Sequence, residues 1–397
     1  MKLNTLFILS IFSIALLFAC SDDEEVSSFD STQSEVVETY AQIVYLNYED
    51  ALTDAKSIQT AVDALISSPS AATLKEAKDQ WLNAQESYGQ TEVFRFYGGP
   101  IDDEDGPEGQ LNAWPLDESL IDYVVGSSNG GDNNDATNII NSPSDFPTIN
   151  KETIADLNEV GAETNISTGY HAVEFLLWGQ DLRTDMPGER PYTDYATDGS
   201  GTNENQARRG EYLKAATDLI VDDLEGLVAE WKDGGAYRTS FESSPSSSLE
   251  NILNGMGKLS KGELAGERIF VAWDLRSKED EHSCFSDNTH RDIVTNALGI
   301  QNVFLGTYLK IDGSTYTGKS IYDLLLIDNR DLAEQLKTTM EESVAAGEAI
   351  VPPFDQEILN EQGRLRVQVT FTSLRKQGDE LAEAAAKFGF SFDPDDI

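Results

Sequence analysis

Apolar residues in this chain recur at steps of three and four over long stretches and almost nowhere alternate. Val37, Tyr40, Val44, Tyr48, Ala51, Ala55, Ile58, Val62 and Leu65 form one such series, which stops near Ser68 and Pro69. That period places every member on one face of a helix, and a buried stripe needs another helix to cover it. A second series starts at Ser70, a residue type suited to cap a helix, and continues through Leu74, Ala77, Trp81, Ala84 and Tyr88. Two long helices around a tight turn predict an antiparallel hairpin, the seed of a bundle. The pattern returns at 205–231, with Tyr212, Ala216, Leu219, Leu227 and Trp231 facing inward, and again at 249–274, 289–308, 332–346 and 356–388. The expected fold class is all-α, in an N-terminal helical half (34–242) and a C-terminal helical half (249–390). The serine-rich run Ser243-Ser244-Pro245-Ser246-Ser247-Ser248 marks the expected boundary.

The N-terminus reads differently. Lys2 precedes an apolar run, Leu6 to Leu17, that is too short for a permanent membrane span but suits a secretory leader over 1–19. The run ends in Leu17-Phe18-Ala19-Cys20, which resembles a bacterial lipobox with Cys20 as the lipidated residue. Ser21-Asp22-Asp23-Glu24-Glu25 then opens an acidic tether over 20–33. The expectation is a bacterial cell-envelope protein, lipid-anchored to the outer membrane on its periplasmic face or at the cell surface. No later apolar run is long enough to span a bilayer, so the lipid would be the sole membrane attachment.

Charge narrows the partners. The chain has 28 basic and 71 acidic residues, a net charge of −43, so nucleic acid and anionic lipid surfaces are poor partners and cations good ones. Two cysteines exclude a disulfide framework and any cysteine-rich metal site.

Only three histidines are present, which makes each informative. His171 and Glu174 lie three apart in Gly169-Tyr170-His171-Ala172-Val173-Glu174 and share one helix face, an imidazole beside a carboxylate. Gly169 allows close backbone approach at the helix start, and Gly179 reads as its stop. The apolar Phe175-Leu176-Leu177-Trp178 next to the pair predicts a buried helix, where Glu174 needs a partner. His282 and His290 bracket Glu281-His282-Ser283-Cys284-Phe285-Ser286-Asp287-Asn288-Thr289-His290-Arg291-Asp292. There Ser286 or Asp287 could cap the following helix, and Cys284 reads as a small buried residue or a soft ligand. A third stretch contains Glu92 and Arg95, either an ion pair or a carboxylate aimed into a site with the guanidinium that orients it. The zincin pattern fails because Ala172 and Phe175 stand where it needs Glu and His, and Phe175 also breaks the inverted pattern. Neither a serine-nucleophile elbow in strand context nor a phosphate-binding glycine loop is present.

Taken together these stretches resemble the imelysin family. Gly169-Tyr170-His171-Ala172-Val173-Glu174 is similar to its Gly-x-His-x-x-Glu signature. Three further runs resemble its branch of iron-regulated-protein-A-like lipoproteins: Phe94 to Asp102, Asn112 to Asp117 and His282 to His290. The resemblance spans about Glu35 to Phe388. It implies an all-helical protein whose two bundle-like halves flank a cleft holding the His-x-x-Glu motif, in a family tied to bacterial iron uptake and catalogued as a metallopeptidase. Carried over, His171 and Glu174 are the motif residues, and Glu92, Arg95, Asp117, Ser283 and Asp287, with His282, are candidates to line the cleft.

The leading expectation is a divalent-metal-binding protein of bacterial iron acquisition, with iron as the metal and zinc or copper as substitutes. His171 and Glu174 bind it, with Glu92 as third ligand and His282 in reserve. The partners are then the metal or an iron-containing ligand and an envelope uptake component. Two rivals stand beside it: a metallopeptidase using the same metal, and a metal-free module in which His171, Glu174 and Arg95 hydrogen-bond a ligand or partner.

Overall fold

Each long apolar series becomes a helix with its stripe buried. A computed structural model describes residues 28–125 and 138–397. The leader, Cys20 and the first part of the tether lie outside the described residues. The first helix, Ser28–Ser67, takes in the last residues assigned to the tether. It packs along both Ala71–Tyr88 and Gln206–Trp231. Ser70 closes a capping box: Thr73 N donates to its Oγ at 3.2 Å, and Ser70 N donates to Thr73 Oγ1 at 3.0 Å. Among the described residues the fold is all-α apart from one short antiparallel hairpin, Thr307–Leu309 against Thr315–Thr317, with Tyr308 opposite Tyr316.

The serine-rich run is a tight joint. Pro245 begins a helix, where its missing N–H costs nothing, and Ser248 Oγ donates to Phe241 O at 2.6 Å, folding the joint onto Ala236–Glu242. The helix then runs on through 245–275. Its middle, Leu259–Phe270, is wound as a π-helix, in which each carbonyl accepts from five residues ahead. This long element lies against Glu361–Lys387, which in turn packs on Arg330–Glu348. One apolar core is continuous from Val36 to Ala385 and joins residues of both halves. Among the described residues no helix is long and apolar enough to cross a membrane.

Two contacts between the halves position the site. The 3-10 turn Gly89–Phe94 sits on the helix Thr289–Leu305, where Asn296 Nδ2 donates to Gly89 O at 2.9 Å. The short helix Gly169–Trp178 meets the loop leading into Thr289–Leu305, with the Phe175 and Phe285 rings 5.2 Å apart.

Candidate functional site

Gly169 decides how the motif helix starts. Its φ is +82°, and a Cβ there would lie 2.4 Å from Leu111 O, so glycine alone lets the 110–111 backbone cross the helix end. Gly179 ends the helix at φ +72°. Every residue between them, from Gly169 to Trp178, is buried.

Buried in this way, His171 and Glu174 satisfy each other. His171 Nδ1 lies 2.9 Å from Glu174 Oε2, while Ser286 donates to Glu174 Oε1 through both its N–H, at 2.8 Å, and its hydroxyl, at 2.6 Å. Ser286 therefore serves Glu174; neither it nor Asp287 caps the next helix, whose N-cap is Asn288. Burial pushes the Glu174 carboxyl above its ordinary range, opposed by His171 and Ser286.

His282 repeats the arrangement from the other half. Its Nδ1 lies 2.9 Å from Asp292 Oδ2, which also accepts from Ser283 Oγ at 2.6 Å, and Asn288 Nδ2 donates to Asp292 Oδ1 at 3.1 Å. Burial, reinforced by the Arg268 guanidinium, lowers the imidazole to about 4 even against the pull of Asp292. His282 is thus a neutral ring with Nδ1–H on a carboxylate. The two rings stand edge to face, and neither His171 Nε2 nor His282 Nε2 has a hydrogen-bond partner although both atoms are buried. His290 stands apart from this pair, with Nδ1 3.2 Å from Asp287 O.

Of the two settings the sequence leaves open for Glu92, the structure shows the ion pair. Its Oε2 accepts from Arg95 at 2.8 Å and from Arg268 at 2.6 Å, and Asn112 Nδ2 reaches Oε1 at 3.4 Å. Burial raises the carboxyl, but Arg268 and Arg95 outweigh it and hold the group at about 2. Glu92 is the anion of a buried ion cluster in which Arg95 also bonds Glu108, and Arg268 bonds Glu263 and Asn296. His171, Glu174 and Glu92 do not bring three ligand atoms within 4.8 Å of one another; among the described residues the set that does is Asp181, Asp287 and Asp355.

The remaining sequence candidates divide. Asp117 caps the turn Glu118–Ile121 by accepting from Ser119 N at 3.0 Å, and it lines a cavity of about 180 Å³ between 114–118 and 279–285. Cys284 and Phe285 line the same cavity, whereas Arg95, His282, Ser283 and Asp287 do not. Trp114 closes the space beside His282, ring centroids 5.8 Å apart, and donates Nε1–H to Glu281 O at 2.8 Å. Sequence reasoning missed Arg268, Asp181 and Asp355. Arg268 lies in the π-helical stretch, where counting by 3.6 misplaces it, and the two aspartates come from segments with no local signal of their own.

The comparisons agree with this geometry. The family model described as Imelysin (Peptidase M75) matches residues 44–381. Iron-regulated protein A of Synechococcus elongatus (strain ATCC 33912 / PCC 7942 / FACHB-805) is 24% identical over 396 residues, covering 96% of this chain and 94% of that protein. The fold is similar to the crystal structure of an iron-regulated protein A precursor from Parabacteroides distasonis ATCC 8503, with a TM-score of 0.69 and 19% identity over 90% of this chain and 95% of that one. It is also similar to an imelysin-like protein from Psychrobacter arcticum 273-4, with a TM-score of 0.61 and 11% identity over 92% of this chain and 98% of that one. At these identities the two structures speak for the fold alone. The match over 44–381, together with the Gly-x-His-x-x-Glu helix that begins at Gly169, places this chain in the imelysin family.

Proposed function

We propose that this protein is a lipid-anchored component of the bacterial cell envelope that binds a divalent metal, iron foremost, in iron acquisition. One observation carries the metal reading: two buried imidazoles each turn Nδ1 to a carboxylate and leave Nε2 without a partner. An unpartnered polar atom in a dry interior is costly, and a carboxylate behind Nδ1 is the usual way to present Nε2 to a metal. The residues present fit such an ion. Nε2 of His171 and of His282 would hold it, with Glu174 and Asp292 fixing the rings; among the described residues no third His, Cys or carboxylate ligand joins them, so oxygen from water or from the cargo would complete the mixed set that suits iron, zinc or copper. His282, neutral down to about pH 4, then replaces Glu92 as the ligand from the distant segment. The relation to an iron-regulated protein A supports iron as the cargo.

The test is metal analysis of untagged protein, with calorimetric titration of ferrous iron and zinc into wild type, His171→Ala and His282→Ala. Each variant should lose most of the affinity while keeping its far-UV circular dichroism. Unchanged affinity in folded His171→Ala would end the metal reading and put the metal-free module in its place. Casein cleavage by the loaded protein would instead favour the metallopeptidase.

A further inference from the structure

The loop that supplies His282 also sends two carboxylates elsewhere. Asp287, from its end, joins Asp181, just beyond Gly179, and Asp355, at the start of Phe354–Leu359. One carboxylate oxygen from each lies within 4.8 Å of the others, and all three residues are buried. Glu281 is the independent sign that a ligand belongs here. It is 1% exposed, neither of its oxygens has a hydrogen-bond partner, and its carboxyl lies within hydrogen-bonding reach of Asp355. The Thr289 hydroxyl is near Glu281 but outside good hydrogen-bonding geometry. Both oxygens of Asp355 and Oδ1 of Asp287 are likewise without a donor.

One cation serves this group already. Lys278 Nζ bonds Asp181 Oδ2 at 2.8 Å, and Arg183 N donates to Asp181 Oδ1 at 3.0 Å. Among the described residues no Lys, Arg or His forms an ion pair with Glu281, Asp287 or Asp355. Several buried carboxylates facing one another around a single ammonium stay together either by holding protons or by binding a cation in their place.

We propose that Asp181, Asp287 and Asp355, with Glu281 behind Asp355, form a site for a hard divalent cation of the calcium class, separate from the imidazole pair. The donors are all oxygen, which selects calcium, magnesium or manganese over the softer metals that imidazole favours. Carboxylates carried by three separate segments form a site whose occupation ties those segments together. The cation pins the end of the Gly179 loop and the start of Phe354–Leu359 to the loop that carries His282.

The experiment uses the full chain, treated with chelator and titrated with calcium, and separately with manganese, up to about 5 mM, which covers the affinities of extracellular calcium modules. Thermal unfolding and calorimetry are the readouts. Wild type should bind one equivalent and shift its Tm upward, because a ligand that binds only the folded state stabilises it. Asp355→Asn and Asp287→Asn, which keep side-chain volume, should each weaken calcium binding at least about tenfold. His171→Ala should keep the calcium response in full, so this test stands or falls apart from the imidazole pair. No binding by wild type, or undiminished binding in both aspartate variants, overturns the site. If either variant fails to fold, a crystal of wild type soaked in manganese decides: anomalous density among the three aspartates supports the site, and its absence there overturns it.

Discussion

The imidazole rings of His171 and His282 meet edge to face, with centroids 4.7 Å apart and planes at 89°. They come from opposite halves of the chain, and each is turned by its own carboxylate, Glu174 or Asp292. The tautomer of each ring is therefore set by the acid behind it.

Asp292→Asn tests that dependence. An amide can donate as well as accept, so Nδ1 of His282 can accept a hydrogen bond instead of donating one, which moves the ring proton to Nε2. Metal affinity should fall by roughly 10- to 100-fold in a protein that stays folded, as for other residues that orient a ligand. Calorimetric titration with zinc measures it, and an affinity equal to wild type would show that the ring does not depend on Asp292.

Gly169→Ala should destabilise the fold by about 2 kcal/mol or more, because alanine is strained at φ +82° and its Cβ would press on Leu111 O. Urea denaturation checks the stability. The same variant should weaken metal binding, since the helix carrying His171 has to move away from the 110–111 backbone.

Arg268→Met leaves Glu92 with Arg95 as its remaining guanidinium partner. Removing one partner of a buried ion cluster should cost about 3–5 kcal/mol. Adding Glu92→Gln should recover part of that loss, because the amide has no charge left to neutralise. A double-mutant cycle by denaturant unfolding measures the coupling, and strict additivity would mean that the two side chains are independent.

Glu118 makes the stability of the fold depend on pH between about 4.5 and 8. Burial, with Glu279 adding to it, raises its carboxyl to about 8 from an ordinary 4.5. The folded state therefore holds a proton that the unfolded chain has released between those values. This contribution is complete below about pH 4.5 and is lost as pH rises toward 8, at up to about 1.4 kcal/mol per pH unit. Glu118→Gln should flatten that part of the profile in unfolding measured from pH 5 to 9 (approximate limits set by the same linkage).

Cys20→Ser tests the lipid anchor, which rests on sequence. The variant should be released from the membrane fraction with its fold intact, and retention in the detergent phase of a Triton X-114 partition would count against lipidation. Among the described residues no helix offers a membrane span to replace the lipid.

Much of the helical frame was legible because burial leaves a periodic trace. The stripe from Val37 to Leu65, the Ser70 cap, Gly169 and Gly179 all stand where the residue pattern puts them. The serine-rich run is less like a linker than its composition: Pro245 turns its second part into a helix start. His171 and Glu174 were readable as neighbours on one helix face. Their distant companions were not, since His282 reaches His171, and Asp355 reaches Asp287, only through tertiary packing. Glu92 shows the limit most clearly. Its pairing with Arg95, three residues on, has a local signature, but Arg268, which makes the shorter bond, comes from the other half.

The π-helical stretch Leu259–Phe270 makes the 245–275 helix an uneven ruler. A wider turn holds more residues for the same advance, so it stores surplus chain length inside a continuous rod. Losing one residue there would let a turn tighten to α geometry while both rod ends kept their seats. Arg268 would then swing away from Glu92, and the ion cluster joining the halves would come apart. The loose winding thus sets where along the rod the Arg268 guanidinium stands to meet Glu92.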